Sequence, residues 1–368
     1  PNNKWTQLGK DLVGTGQYDR FGECVSLSDD GSVVIVGAIK NDNNGADSGH
    51  ARVFSYNKTL KDWDKRGKDI EGETAKDFSG ITVDASSDGG IVAVGADYND
   101  GRDVKSGHVR VYSYISNLDE WKKLGNDIDG ENRADLFGGA LSLSMDGKTI
   151  AVGATVNGGN GDSSGHVRVF DYDDNINVWI QKGQDIDGES VGDNSGISVS
   201  LSRKGNIVAI GAKRNDGSAT NSGHARIYQY VTRTQMWHQI GYDIDGVAEG
   251  DFFGRSVSLS AEGDVIAVGS PDHDDVKGTS FGHVRVFKFL PSATEDVSVV
   301  GDLQCSTDQT PFRLEFTMDS FPGDISWGIF NEEGNQLILE NFEDSKIKIH
   351  KGDSITRREC LTKNVLVT

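Results

Sequence analysis

Apolar and polar positions alternate along most of this chain in short runs, and the runs return at a fixed interval. "WKKLGNDI" (121–128) alternates and ends in polar residues, and "GGALSLS" (138–144) alternates small or polar residues with apolar ones. "KTIAVGA" (148–154) is a nearly continuous apolar run, the pattern of a strand buried on both faces. "GHVRVFDY" (165–172) is rich in β-branched and aromatic residues, with Val167 and Val169 on one face. Met145-Asp146-Gly147 supplies the hairpin turn between the second and third of these runs. The pattern predicts four strands and contains no helical period. It recurs through the chain: Trp5, Trp63, Trp121, Trp179 and Trp237 fall 58 residues apart. Asp19, Asp77, Asp135, Asp193 and Asp251 keep the same spacing, and so do Gly22, Gly80, Gly138, Gly196 and Gly254. Self-similarity at a fixed period means one supersecondary unit used five times.

Within each unit the strands are named here, in order, the inner, second, third and tryptophan strands. If hairpins join them, the turns after the inner and third strands lie on one face, and the loops after the second and tryptophan strands lie on the other. The first set is short. The second set is long, as in "DYNDGRDVKS" (97–106) and "DGENRAD" (129–135). One face is therefore trimmed and the other elaborated, and elaborated loops on a rigid scaffold are where binding concentrates. Repeated four-stranded sheets suit an all-β fold, a five-bladed β-propeller. Trp5 opens a tryptophan strand with no strands before it, and the fifth unit (254–260, 264–270, 282–289) lacks one after it. The expectation is that residues 5–12 close the last blade; an open stack or a larger ring is the alternative.

"DLFGGALSLSMDGKTIAVGA" followed by "SGHVRVFDY" resembles the FG-GAP repeat, the blade unit of integrin α-subunit propellers and of many secreted adhesion proteins. The resemblance covers residues 5–289. The Phe-Gly pair stands at Phe21-Gly22, Phe137-Gly138 and Phe253-Gly254 and drifts to Ser79-Gly80 and Ser195-Gly196. The second element reads Gly37-Ala38, Gly95-Ala96, Gly153-Ala154, Gly211-Ala212 and Gly269-Ser270-Pro271. Calcium-binding members carry a D-x-D-x-D-G-like hairpin after the inner strand. Here that turn is "SDDGS", "SSDGG", "SMDGK", "SRKGN" or "SAEGD", too short and too poor in carboxylates for a cage of oxygens.

The register ends near Phe289, which divides the chain into 1–290, the propeller, and 291–368. The latter reads as a small C-terminal β-sandwich-like domain that lacks the repeat and ends early. Its segment "FTMDSFPGDISWGIFNEEGN" (316–335) resembles a module appended to secreted proteins of eukaryotic microalgae. The net charge of −20 opposes binding to nucleic acid or an anionic membrane, and no run of 18 apolar residues is present to insert into a bilayer. The opening Pro1-Asn2-Asn3-Lys4-Trp5 suits a processed mature form. Cys24 occupies a slot filled by Thr82, Ala140, Ser198 and Ser256 in other copies and reads as a small buried residue. Cys305 and Cys360 both fall in the C-terminal domain and are expected to form a disulfide. Asn57-Lys58-Thr59 is a glycosylation sequon at a turn. Together these hints point to a secreted, extracellular or cell-surface protein.

The histidines His50, His108, His166, His224 and His283 each follow a glycine at the head of a third strand. A residue repeated in every blade reads as structural: a buried imidazole hydrogen-bonded within its blade. Arg52, Arg110, Arg168, Arg226 and Arg285 read as blade-to-blade ion pairs. No H-E-x-x-H or C-x-x-C spacing occurs, and the expectation is that the chain is not an enzyme. The carboxylates do form a pattern where the tryptophan strand enters its loop. Asp127-Ile128-Asp129-Gly130-Glu131 recurs at Asp185-Ile186-Asp187-Gly188-Glu189, and with changes at Asp69-Ile70-Glu71-Gly72-Glu73 and Asp243-Ile244-Asp245-Gly246. Asp69, Glu73, Asp127, Asp129, Asp185, Asp187, Asp243 and Asp245 are the expected binding face. They shape turns and keep loops solvated, or, with Asn41, Asn99, Asn157 and Asn215, they attract Ca²⁺ or a cationic partner. The fifth long loop differs: His273 replaces the Asn, and Asp272, Asp274 and Asp275 beside it are candidate metal ligands. The reading that follows is an extracellular binding or adhesion module for a protein or glycan at a cell surface or matrix. The alternatives are a self-assembling structural block of a wall or appendage, and a carbohydrate-active enzyme.

Overall fold

A computed structural model describes residues 3–274 and 280–290. In the C-terminal segment it describes the strands Gln309–Pro311, Arg313–Met318, Ile325–Phe330, Gln336–Ile338 and Cys360–Thr362. The chain divides into two compact units, Pro1–Phe289 and Leu290–Thr368. In the second unit Gln309–Pro311 pairs with Cys360–Thr362, and Arg313–Met318, Ile325–Phe330 and Gln336–Ile338 form an antiparallel sheet. Cys305 lies outside the described residues, and so does its expected bond to Cys360.

The first unit is the five-bladed, all-β propeller that the repeat predicts. In the third blade the strands Phe137–Leu143, Thr149–Ala154, His166–Asp173 and Val178–Gln181 pair antiparallel in sequence order. The residues of Thr149–Ala154 are all buried, because a neighbouring sheet packs on each face. Ile150 and Val152 meet Ala93, Val109 and Val111 of the second blade. Ala151, with Val167 and Val169, meets Val208 and Ile210 of the fourth. Strict alternation within a wholly apolar run thus serves two interfaces at once.

The signature glycines are explained at these interfaces. A Cβ on Gly153 would stand 2.1 Å from the carbonyl oxygen of Gly196 in the next blade, and Gly37, Gly95 and Gly211 meet Gly80, Gly138 and Gly254 in the same way. The second glycine of each pair also has positive φ, 95° at Gly138 and 84° at Gly196. The two motifs are therefore the two halves of one backbone-to-backbone contact between blades.

The tryptophan strand is not continuous. In the third blade it runs over Val178–Gln181, breaks, and resumes as Ile186–Asp187, both pieces pairing with His166–Asp173. At the break Gly183 takes φ of 77°, and the ring of Trp237 from the next blade packs against it. Trp237 Nε1 donates to Lys182 O at 2.6 Å, as Trp63, Trp121 and Trp179 donate to Leu8, Arg66 and Leu124. Trp121, Trp179 and Trp237 each plug the gap in the blade before, and Trp63 packs in the same way on Gly9 of the N-terminal segment.

The expected closing strand is not formed. Residues 5–12 adopt no strand, and Trp5 is fully exposed. The segment is held by the first blade: Leu8 O accepts Trp63 Nε1 at 2.7 Å, and Lys10 N donates to Asp62 at 2.9 Å. The fifth blade has three strands, Ser256–Leu259, Val265–Ser270 and His283–Lys288. Val284 and Val286, in the slots of Val167 and Val169, are exposed, as are Val25 and Leu27 on the first inner strand. The physical reason is local: the contacts at Trp63 and Asp62 are near in sequence, whereas pairing with 283–288 closes a loop of about 270 residues. Among the described residues, no helix is long and apolar enough to cross a membrane.

Candidate functional site

The long loops and the broken end of the tryptophan strand meet at the seams between blades. In the first four blades the third strand begins there with its histidine, paired in register with the short outer strand, as His166 pairs with Asp187 and His224 with Asp245. Three seams are built alike: Glu73, His108 and Asp127; Glu131, His166 and Asp185; Glu189, His224 and Asp243. The glutamate comes from the loop that links the preceding blade to the next, and the histidine and aspartate come from the next blade. In the first blade Thr15 stands in the glutamate slot, and His50 is grouped with Asp69 and Glu71 instead. In every group one ligating atom of each residue lies within 4.8 Å of the others.

In the fourth blade's group each carboxylate is held by one oxygen, whereas Glu73 in the second meets Arg110 with Oε1 and Asn99 with Oε2. Arg226 Nη1 lies 3.4 Å from Glu189 Oε1, while Glu189 Oε2 faces His224 Nδ1 at 3.8 Å. Gln239 Nε2 donates to Asp243 Oδ1 at 2.7 Å, leaving Oδ2 at 4.0 Å from the same nitrogen. The third blade repeats this: Arg168 meets Glu131 at 3.4 Å and Gln181 donates to Asp185 at 2.6 Å. In the second, Arg110 meets Glu73 at 3.3 Å and Lys123 holds Asp127 at 2.9 Å. The arginines also reach back across the seam to main-chain carbonyls: Arg110 to Glu71, Arg168 to Asp129, Arg226 to Asp187 and Arg285 to Asp245. They are blade-to-blade links, as the repeat suggests.

The histidines differ from expectation. His50, His108, His166 and His224 are buried and His283 is half-buried, but neither ring nitrogen of His50 or His224 has a hydrogen-bond partner, and Nε2 of His166 and His283 also lacks one. The surrounding groups stop at 3.8–4.0 Å, beyond hydrogen-bond reach. Burial, reinforced by the adjacent arginine, holds His108, His166 and His224 down to about 4, so the imidazoles are neutral at pH 7.

Asp129, Asp187 and Asp245 stand at the rim of the seams, beneath the long loops at Gly101, Gly159 and Gly217. Their carboxyls are pushed upward, first by burial and then by the neighbouring Asp127, Asp185 and Asp243. The expected face residues are thus brought together: Asp69, Glu73, Asp127, Asp185 and Asp243 inside the seam groups, and Asp129, Asp187 and Asp245 beside them. Asn99 touches this face, its Nδ2 donating to Glu73 Oε2 at 3.4 Å, but the main partners of the asparagines lie beneath it. Asn41, Asn99, Asn157 and Asn215 are buried and donate to Asp19, Asp77, Asp135 and Asp193 at 2.9–3.1 Å. Their own carbonyl oxygens accept loop amides such as Gly159 N at 2.8 Å. They staple the long loops to the blade. The pairing was visible in the sequence as two residue types in one shared register, a signal the carboxylate pattern overshadowed.

In the fifth blade His273 takes the asparagine's place against Asp251 at 3.1 Å. Asp272 and Asp274 are exposed, and Asp274 accepts Ser280 N at 2.7 Å. These two join no group of possible metal ligands among the described residues, and Asp275 lies outside them. On the trimmed face Asp30 is spent inside its own turn, accepting Ser28 Oγ and Ser32 N, both at 2.9 Å, whereas Asp29 accepts Ser87 Oγ of the next blade at 2.7 Å. Cys24 is partly buried, its thiol 3.8 Å from Val83 O. Asn57 donates to Asp64 at 2.8 Å at the end of its strand.

Fold and repeat register together define a five-bladed β-propeller whose units are similar to the FG-GAP repeat. Residues 14–54 match the family model described as the FG-GAP repeat, and the later copies keep that copy's register. Among solved structures the chain is similar to a candidate 6-phosphogluconolactonase of Bacteroides uniformis, at 14% identity and a TM-score of 0.45, covering 88% of this chain and 84% of that one. It is also similar to a periplasmic gluconolactonase of Pseudomonas aeruginosa, at 12% identity and a TM-score of 0.48, covering 90% and 86%. No curated protein sequence matches the chain. The expectation that the chain is not an enzyme is corrected here: both solved structures to which it is similar carry gluconolactonase names. At these identities no activity passes across with the likeness.

Proposed function

We propose that this chain is a binding module of a cell surface or matrix, and that its elaborated face receives a cationic protein segment or a glycan. The observation that carries the proposal is the row of Asp129, Asp187 and Asp245. Each is a partly buried carboxylate, disfavoured in its charged form by burial and by a second aspartate beside it. A cationic or hydrogen-bonding partner relieves that cost, and the row offers it in triplicate at one spacing, which favours an extended or repetitive partner. The sequon at Asn57 and the acidic charge support a place outside the cell. The test is retention on a glycan array and a panel of basic peptides. Replacing all three aspartates by Asn should weaken the strongest hit by about tenfold. The pair Asp29→Asn and Glu262→Gln on the trimmed face should not. Equal losses from both sets would end the proposal.

A second reading rests on a different observation. Val25 and Leu27 at one end of the blade series, and Val284 and Val286 at the other, are exposed. Burying a valine is worth about 1.5–3 kcal/mol. Two such ends favour head-to-tail association into a structural assembly. Sedimentation that stays monomeric at high concentration would exclude it.

A further inference from the structure

The unpartnered histidines have a use that hydrogen bonding does not explain. His224 Nδ1 is buried and lacks a partner, yet it faces two carboxylate oxygens, Glu189 Oε2 at 3.8 Å and Asp243 Oδ2 at 4.0 Å. In the first blade His50 Nδ1 also lacks a partner and faces Glu71 Oε2 at 3.8 Å, itself a buried oxygen with no donor. Were these groups designed only to pack, the empty centre would be filled by a side chain or spanned by a hydrogen bond. We propose that the three seam groups and the first-blade group are binding sites for a divalent transition-metal ion, each ligated by the histidine Nδ1 and one oxygen from each of two carboxylates.

Three features support the assignment. The first is the donor set. A calcium site takes oxygens alone, whereas imidazole nitrogen with carboxylate oxygen suits zinc and its first-row neighbours. The second is spacing. Ligands at zinc bond lengths in a tetrahedron stand about 3.4 Å apart. At His224 the observed 3.8–4.0 Å from Nδ1 needs a closure of about half an ångström, and the remaining pairs, within 4.8 Å, need at most about 1.4 Å. Glu189 has a side chain 43% exposed and sits on a loop, so it can move by that much. The third is the outer support. Gln239 fixes the outer oxygen of Asp243 and Arg226 that of Glu189, so both carboxylates already aim their other oxygen inward. Two carboxylates against one arginine and a neutral imidazole leave one negative charge for the ion to meet. Nε2 of His224 has no acceptor behind it, so the imidazole is oriented by packing rather than by a hydrogen bond. The seam joins successive blades, so a bound ion would tie neighbouring sheets together. This inference stands apart from the partner proposed above, because ions are counted with no partner present.

The experiment is equilibrium dialysis of the full chain, stripped with chelator, against buffered Zn²⁺, with bound metal counted by mass spectrometry. The expected count for the native chain is four per molecule. Glu189→Gln combined with Asp243→Asn changes only partly exposed side chains and should reduce the count by one without changing the circular dichroism. His224→Gln should do the same, and Gln239→Ala should weaken one site by about tenfold or more. Co²⁺ should give the visible absorption of a nitrogen–oxygen site, diminished in the same variants. Three results would overturn the inference: no zinc bound by the native chain, a full count retained in the Glu189 and Asp243 double variant, or Ca²⁺ filling the same sites at the same free concentration.

Discussion

Gly153→Ala is the sharpest perturbation of the blade interface. The added Cβ would lie 2.1 Å from Gly196 O and 2.9 Å from Gly196 C, all of it backbone. An ordinary carbon–oxygen contact needs about 3.2 Å, so the third and fourth blades must part by about 1 Å at their seam. No side-chain rotation relieves this, because neither neighbour has a side chain. Overpacking of this kind costs about 1–3 kcal/mol where side chains can yield, and a rigid backbone puts the cost at the upper end, about 3 kcal/mol. Loss of glycine freedom in the unfolded chain returns at most about 1 kcal/mol. With the entropy of unfolding of a domain this size, a net 2–3 kcal/mol lowers the melting temperature by about 3–5 °C. Gly139→Ala is the control. Its Cβ would meet nothing closer than Leu136 O at 3.5 Å, and its φ is not positive. Calorimetry of the two variants should separate them. If Gly153→Ala melts with the native chain, the paired glycines do not set the blade spacing, and the explanation of the repeat signature fails.

Three further outcomes follow from the same structure. His108, His166 and His224 titrate at about 4 when folded against 6.5 when unfolded, so their contribution is intact above pH 6.5 and is lost as pH falls toward 4. In metal-free protein, denaturant titrations at pH 7 and pH 5 should differ by about 2 kcal/mol per histidine, partly offset by Asp97, whose carboxyl is raised by burial to about 6 and runs in the opposite direction. Asn157→Ala strips Asp135 of a buried donor and Gly159 N of its acceptor, and should cost about 1–3 kcal/mol by urea unfolding, with faster proteolysis of the 155–165 loop. Deleting residues 1–13 removes the Leu8 and Lys10 bonds to the first blade and should cost only about 1–3 kcal/mol, whereas cooperative loss of the whole propeller would show that this segment does close the fifth blade in solution.

Much of this fold was legible because each repeat is a strong local pattern copied five times. The run 148–154 and the alternation in 138–144 placed their strands within a residue of Thr149–Ala154 and Phe137–Leu143. What escaped was set between repeats. "WKKLGNDI" reads as one strand, yet it breaks after Lys123, because Gly125 must turn to admit Trp179 from the next blade. No pattern within a single repeat records that visitor. The acidic face was legible as a list of residues, but its grouping around histidines was not, because sequence shows neither the empty side of an imidazole nor which carboxylate oxygen is already bound. The asparagines, expected at the surface with the aspartates, are buried staples: a small amide and a carboxylate in register satisfy each other more fully than either satisfies a ligand.

Carboxylate footprinting tests the account most directly. The native chain, alone and with its strongest binding glycan or basic peptide, is labelled with carbodiimide and an amine, and each Asp and Glu is quantified by mass spectrometry. The account predicts protection of Asp129, Asp187, Asp245 and Glu73 on binding, with Asp29 and Glu262 labelled as before. Protection confined to the trimmed face, or spread evenly over both, would contradict the claim that the elaborated seams are where this propeller binds.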